Sequence, residues 1–334
     1  MTRPTIRSGN RVPAAILMSG TGSNARKLLE YRLPDGRPPA YEIRLILSDN
    51  PASNYRRIAE EFGVEARLND FYAFCGVPRT RSPSAATPGA PSVPARGSSG
   101  AQVHGTSSSP ADDDTSRRSG TRDPALRRAF DAENLRILRE HGVRLAAAAG
   151  YDWVISAELC EALPIVNVHP GDLRVLDEQG RRRYVGLGWI PTAKAILHGD
   201  ETVRSTTHLV TPELDGGPIA RVSRPVPVDL PPGMSAQNIL PAGTSLGEVI
   251  RDLRSGGGRF EDSLIVTHAR MIQERLKEAG DWVELPLTLH RVAELLAEGR
   301  LVVGAGGATL DGRPVGDLFL QGDRPPSGAR PGSE

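Results

Sequence analysis

The chain is poor in several residue types, and each shortage excludes something. Its 334 residues include two cysteines, Cys75 and Cys160, too few for a disulfide scaffold or a cysteine-rich metal cluster. Aromatics make up 4% and hydrophobic residues 38%, so any core must rest on aliphatic side chains. The longest apolar runs, such as Ala14 to Met18, fall far short of the roughly 20 residues that span a bilayer. Basic excess is missing as well: 41 basic residues face 40 acidic ones, a net charge of +1. Nucleic-acid readers show a clear basic surplus, so neither nucleic acid nor membrane is expected as a partner. The first twelve residues carry Arg but no apolar signal core, which leads us to expect a cytoplasmic globular protein.

What the chain has in plenty is Gly (36) and Pro (28). Between Val77 and Pro124 the chain is mostly Pro, Ser, Ala, Gly, Thr, Arg and Asp, and Val77, Val93 and Val103 are the only large apolar residues. Such a stretch cannot bury enough surface to offset an ordering cost of about 1–2 kcal/mol per residue. We therefore read 77–124 as a disordered insertion within a single domain covering 12–322. A break at Asp177 to Arg183, a loop insertion at 230–258 and a disordered tail at 323–334 are expected too.

Elsewhere strand and helix patterns alternate. Ala14–Met18 and Ile43–Leu47 read as strands, with helices from Ala25 and from Asn54 after them. A helix from Pro124, strands at Leu145–Ala149 and Ile165–Val168, and a short helix at Ala157–Leu163 follow. Thr206–Val210 and Ala220–Val228 read as later strands. This order predicts an α/β fold, a doubly wound, mostly parallel Rossmann-like sheet whose ligands sit at the carboxyl ends of strands.

Between the first strand and helix lies Gly20-Thr21-Gly22-Ser23-Asn24-Ala25. Glycines let the backbone approach an anion, and the helix start offers free N–H groups. The pattern also fits a dinucleotide fingerprint with Asp49 as ribose ligand, although Asp49 lies 29 residues past Gly20 where about 20 is usual. A tight strand-to-helix turn is the third reading.

Asn167-Val168-His169-Pro170 closes a strand, and residues two apart on a strand share a face. Asn167 and His169 together offer an amide for a developing oxyanion and an imidazole that can move a proton. Asp215, in Glu213-Leu214-Asp215-Gly216-Gly217-Pro218, sits in a turn sequence for which Asp-Gly is ordinary. Amide, imidazole and carboxylate together suit attack of an amine on an acyl carbon. Serine hydrolysis is disfavoured, because Gly243-Thr244-Ser245-Leu246-Gly247 follows a Pro/Gly-rich stretch where a nucleophile elbow needs a strand. The seven histidines show no metal-ligand spacing, so no metal is expected.

These motifs, in this order, resemble the phosphoribosylglycinamide formyltransferases of purine synthesis. The resemblance rests on Ile16 to Asn24, Ala149-Gly150-Tyr151, Asn167 to Pro170, Thr207 to Val210 and Glu213 to Pro218. Ala297 to Leu301 and Leu310-Asp311-Gly312 are similar to that family's closing segment. The resemblance implies that His169 is the proton donor, that Asn167 polarises the formyl oxygen, and that Asp215 keeps His169 charged. It implies that Gly20, Thr21, Gly22, Ser23 and Asn24 hold the phosphate of glycinamide ribonucleotide. The co-substrate, 10-formyltetrahydrofolate, would lie against Arg127, Asp152, Trp153, Val154, Ile155, Asn167, Thr211, Pro212, Glu213, Leu214 and Asp215. His208 would stand behind the reacting groups, and Glu274 or Glu278 would touch substrate.

The chain departs from the family at Asp152-Trp153, where Met-Arg is usual, and at Gly171-Asp172-Leu173-Arg174, where the family has Ser-Leu-Leu-Pro. Gly188-Trp189 replaces a loop histidine. Alternatives are a formyltetrahydrofolate deformylase and a catalytically weak binding protein of the same fold. The deformylases carry an extra N-terminal domain, and about a dozen residues precede the first strand here. A monomer or homodimer is expected.

Overall fold

A computed structural model describes residues 11–76 and 123–321. Residues 77–122, nearly all of the expected insertion, and the tail from 322 lie outside the described residues. The chain enters as β1 (Val12–Met18), α1 (Ser23–Glu30), β2 (Tyr41–Ser48), α2 (Tyr55–Phe62), β3 (Glu65–Leu68) and α3 (Phe71–Cys75). It resumes with α4 (Pro124–Glu140), β4 (Leu145–Ala148), α5 (Ala157–Ala162), β5 (Ile165–His169) and α6 (Ile190–His198). Short strands follow: β6 (Thr202–Val203), β7 (Thr206–Leu209), β8 (Ile219–Val222) and β9 (Val226–Pro227). The last part holds α7 (Leu246–Ser255), α8 (Leu264–Leu276), a π-helical turn (Lys277–Asp281), α9 (Trp282–Ala297) and the ribbon β10 (Leu301–Gly304), β11 (Gly307–Leu310) and β12 (Arg313–Pro314).

Seven strands form one sheet in the order β3-β2-β1-β4-β5-β7-β8. The first five run parallel, and β7 and β8 turn antiparallel. The expected doubly wound α/β fold is thus present. Central strands read as continuous apolar runs because both faces are covered. One face packs Ile16, Val166 and Leu209 against Leu285, Leu289 and Val292 of α9. The other packs Leu17, Leu47 and Ala146 against Leu138 of α4 and Leu159 of α5. A third cluster joins α6, α7 and α8 through Ala193, Val249, Ile265 and Ile272.

Two boundary expectations are corrected. The stretch 230–258 is not all loop, since it contains α7, whose start is fixed by a capping box. Ser245 Oγ accepts from Glu248 N at 3.3 Å and Glu248 Oε2 accepts from Ser245 N at 2.8 Å, satisfying two N–H groups at once. The expected strand Ala220–Val228 splits in two: β8 lies in the main sheet, whereas β9 pairs with β6. Arg224-Pro225 lies at the break, and proline has no N–H for a ladder. Among the described residues no helix is long and apolar enough to cross a membrane.

Candidate active site

Strand order reverses between β1 and β4, and the loops leaving these strands meet there. Ser19 N donates to Gly150 O at 2.9 Å, and Asp152 N donates to Ser19 Oγ at 3.0 Å. A cavity of about 580 Å³ opens at this crevice, lined from Gly20–Asn24, 148–155, 167–170, 186–188, 208, 210–211, 213–215 and helices α4, α7 and α8. Crevices at such switch points are the usual ligand sites of doubly wound sheets.

The glycine loop is shaped by what lies behind it. Gly22 has φ +78°, and a Cβ there would stand 2.4 Å from Ile58 Cδ1. Glycine at this position is therefore demanded by backbone conformation and core packing. Asn50 and Asn54 hold the loop from outside, donating to Ser19 O at 2.8 Å and Thr21 O at 3.0 Å. Both use carbonyls, so the amides at the start of α1 are not consumed by this bracing. Asp49 is differently placed from what a ribose ligand needs. Its Oδ2 receives Trp153 Nε1 at 2.5 Å, and burial pushes its carboxyl above the ordinary range.

The sequence-predicted trio comes together. β5 and β7 pair so that Asn167 faces His208 and His169 faces Thr206. Asn167 Nδ2 donates to His208 Nε2 at 3.1 Å, and His208 Nδ1 donates to Leu209 O at 3.0 Å. His208 is thus a neutral ring, and burial lowers its pKa to about 4. His169 Nδ1 lies 3.4 Å from Asp215 Oδ2, with the two side chains 3% and 8% exposed. His208 Nε2 stands 3.8 Å from the other carboxylate oxygen. Asp215 holds φ +51°, a left-handed conformation that few side chains adopt without support. That support includes Arg182, whose guanidinium donates to the Asp215 carbonyl.

Arg127 lies where its guanidinium meets the rings of Phe71, Phe130 and Trp153 at 5.3, 5.4 and 5.5 Å. None of its three side-chain nitrogens meets hydrogen-bond geometry among the described residues. Its Nε still pairs with the buried Asp131 carboxylate at 3.4 Å, and the other two nitrogens have the fork geometry that suits a planar carboxylate. Asp152, Trp153, Val154, Ile155, Thr211, Glu213 and Leu214 line the cavity too, whereas Pro212 does not.

Several lining residues were not foreseen. Glu274 and Glu278 are exposed, outside the cavity wall. The carboxylate from this C-terminal part of the chain that does line it is Asp281, in the π turn. Ser205 Oγ donates to it, and burial raises its pKa. Gln273, Lys277 and Arg254 line the same cavity, and burial lowers the pKa of Arg254. Asn24 Oδ1, also at this cavity, is buried with no hydrogen-bond partner among the described residues.

Compared with known proteins, the profile of the formyl transferase family matches residues 13–230. Among solved structures the chain is similar to glycinamide ribonucleotide transformylase 1 from Symbiobacterium toebii at 22% identity and a TM-score of 0.45, covering 92% of this chain and 98% of that one. A phosphoribosylglycinamide formyltransferase from Coxiella burnetii is similar at 15% identity and a TM-score of 0.49, with the same coverages. A formyltetrahydrofolate deformylase from Burkholderia mallei is similar at 17% identity and a TM-score of 0.44, covering 90% of this chain and 70% of that one. No curated protein sequence matches.

Proposed function

The chain belongs to the formyl transferase family, and on that premise we propose that it moves a formyl group from 10-formyltetrahydrofolate to the amine of 5-phosphoribosylglycinamide. The carrying observation is that Asn167, His169 and Asp215 meet in one cavity with a glycine loop at a helix start and with the part-buried Arg127. In this reading residues 12–322 act as one domain, to which α7 contributes cavity wall.

The phosphate is taken by the amides of Gly22, Ser23 and Asn24 at the start of α1, with Lys277 and Arg254 supplying charge. Arg127 and the aromatic wall take the anionic end of the folate. The amine attacks the formyl carbon and forms a C–N bond. An amide nitrogen carries two N–H groups; His208 takes one from Asn167, and the other is left for the oxyanion. His169 gives a proton to the departing folate nitrogen as its bond to the formyl carbon breaks, and the attacking amine returns one. Asp215 holds the imidazolium during this exchange.

Labelled donor provides the test. With 10-formyltetrahydrofolate carrying ¹³C in the formyl group, the label should appear in the amide of the ribonucleotide. Label found only in free formate would support a hydrolase and overturn the transfer reading.

A further inference from the structure

His169 is engaged at both ring nitrogens. Besides the Asp215 contact at Nδ1, its Nε2 lies 2.6 Å from the main-chain oxygen of Tyr184. A carbonyl oxygen only accepts, so Nε2 must carry hydrogen. We propose that the Tyr184 carbonyl locks His169 as its Nε2–H tautomer, so that Nδ1 is the nitrogen that loses and regains a proton, and that Gly171 and the Tyr184–Asp200 pair are positioning residues for this lock. The chemical role of Nδ1 rests on the function proposed above; the lock itself does not.

The absence of a side chain at position 171 is what lets the carbonyl approach. A Cβ on Gly171 would stand 2.7 Å from Tyr184 O, 3.0 Å from His169 Nε2 and 3.1 Å from Pro191 Cβ. Any larger residue must push the Tyr184 carbonyl off the ring. Gly171 has little freedom to yield, because Thr206 Oγ1 donates to its carbonyl at 2.7 Å and accepts from Leu173 N at 3.1 Å. This is also a position where the sequence departs from the family it resembles.

The Tyr184 segment is held from its other side. Its hydroxyl donates to Asp200 Oδ2 at 2.5 Å beside a second cavity of about 320 Å³. Burial and the Asp200 carboxylate push the phenol pKa up, so it remains a donor. On either side, Arg183 N donates to Val175 O at 2.9 Å and Lys194 Nζ to Val185 O at 2.7 Å. The titratable groups facing His169 come from other elements: Asp215 after β7, neutral His208 on β7, and Asp281 of the π turn. Arg182 and Lys194 act on Asp215.

The protons balance with one nitrogen. The imidazolium releases the Nδ1 proton to the leaving nitrogen and becomes the neutral Nε2–H ring, then takes a proton at Nδ1 from the attached amine. A tautomer fixed wrongly can cost on the order of 10⁴-fold in rate where a serine-protease aspartate is replaced.

The test is ¹⁵N NMR of the full chain labelled at histidine, with His169→Gln identifying the His169 signals. In the neutral ring, Nε2 should show a protonated, pyrrole-type shift and Nδ1 a bare, pyridine-type shift. Gly171→Ala should mix the tautomers, lower kcat by tenfold or more and leave both KM values within about twofold. Tyr184→Phe, which spares the main chain and Gly171, should give a smaller loss of the same kind and shift the pH profile of kcat. Asp200→Asn, which still accepts from the hydroxyl, should recover most of the wild-type spectrum. A pyridine-type Nε2 in the wild type, or an unchanged spectrum in folded Gly171→Ala, overturns the lock. Because the spectrum is read without substrate, failure of formyl transfer would sink the proposed activity while leaving the lock standing.

Discussion

Asn167 and His208 face each other across the antiparallel β5–β7 pair, and the amide nitrogen of one donates to the imidazole of the other at 3.1 Å. The bond works only while His208 is neutral, and Leu209 O fixes the tautomer that leaves Nε2 bare. His208 thereby decides which way the Asn167 amide points. His208→Ala should release that amide and lower kcat by roughly tenfold, since a misdirected donor forfeits part of the 10²–10³-fold that one oxyanion donor supplies. Steady-state kinetics with both substrates saturating checks this; unchanged kcat would mean that Asn167 is oriented by something else.

The same burial makes a stability prediction. The folded pKa of His208, about 4, lies below the ordinary value near 6.5. Between those values the unfolded chain binds more protons, so stability rises with pH across that window and is lost as pH falls from about 6.5 toward 4. The full effect is roughly 3 kcal/mol at most. Urea unfolding at several pH values should show this slope in the wild type and a shallower one in His208→Gln.

Two glycines of the same loop should behave differently. Gly22→Ala puts a Cβ 2.4 Å from Ile58 Cδ1 at φ +78°, an overpacked and left-handed position that should cost about 2–4 kcal/mol. Gly20 has nothing within 4 Å of an added Cβ, so Gly20→Ala should fold normally. Thermal melts separate them: a wild-type Tm for Gly22→Ala would show that the loop can shift.

Much of the fold was legible, and the reasons are local. Buried parallel strands announce themselves as apolar runs, and a period of two puts Asn167 and His169 on one face. What escaped notice has physical causes too. The Ser245–Glu248 capping box was readable, but the surrounding Pro and Gly outweighed it. Asp281 ends a π turn, which breaks the 3.6-residue period after α8 and brings it to the cavity wall, while Glu274 and Glu278 stay outside. Tyr184 acts through a main-chain oxygen, which no side-chain pattern records. The Trp153–Asp49 bond joins residues 104 apart, a distance over which one sequence offers no signal.

Asp281 gives a prediction about the ribonucleotide side. Burial raises its pKa, so it takes up a proton at a higher pH than a surface carboxylate and loses its charge first on acidification. Asp281→Asn should raise KM for the ribonucleotide by about tenfold or more, the worth of a charged hydrogen bond, with KM for the formyl donor nearly unchanged. As pH falls, the wild-type ribonucleotide KM should rise toward that of the variant, at a higher pH than an ordinary carboxylate would require. Equal rises in both KM values would assign Asp281 to the fold and not to the substrate.

The most direct measurement follows tetrahydrofolate release by the wild type and His169→Ala, each with and without glycinamide ribonucleotide. The account predicts rapid release only in the wild type with the ribonucleotide present, and a fall of about 10²-fold or more in His169→Ala. Full-speed release without the ribonucleotide, or a wild-type rate in His169→Ala, would contradict it.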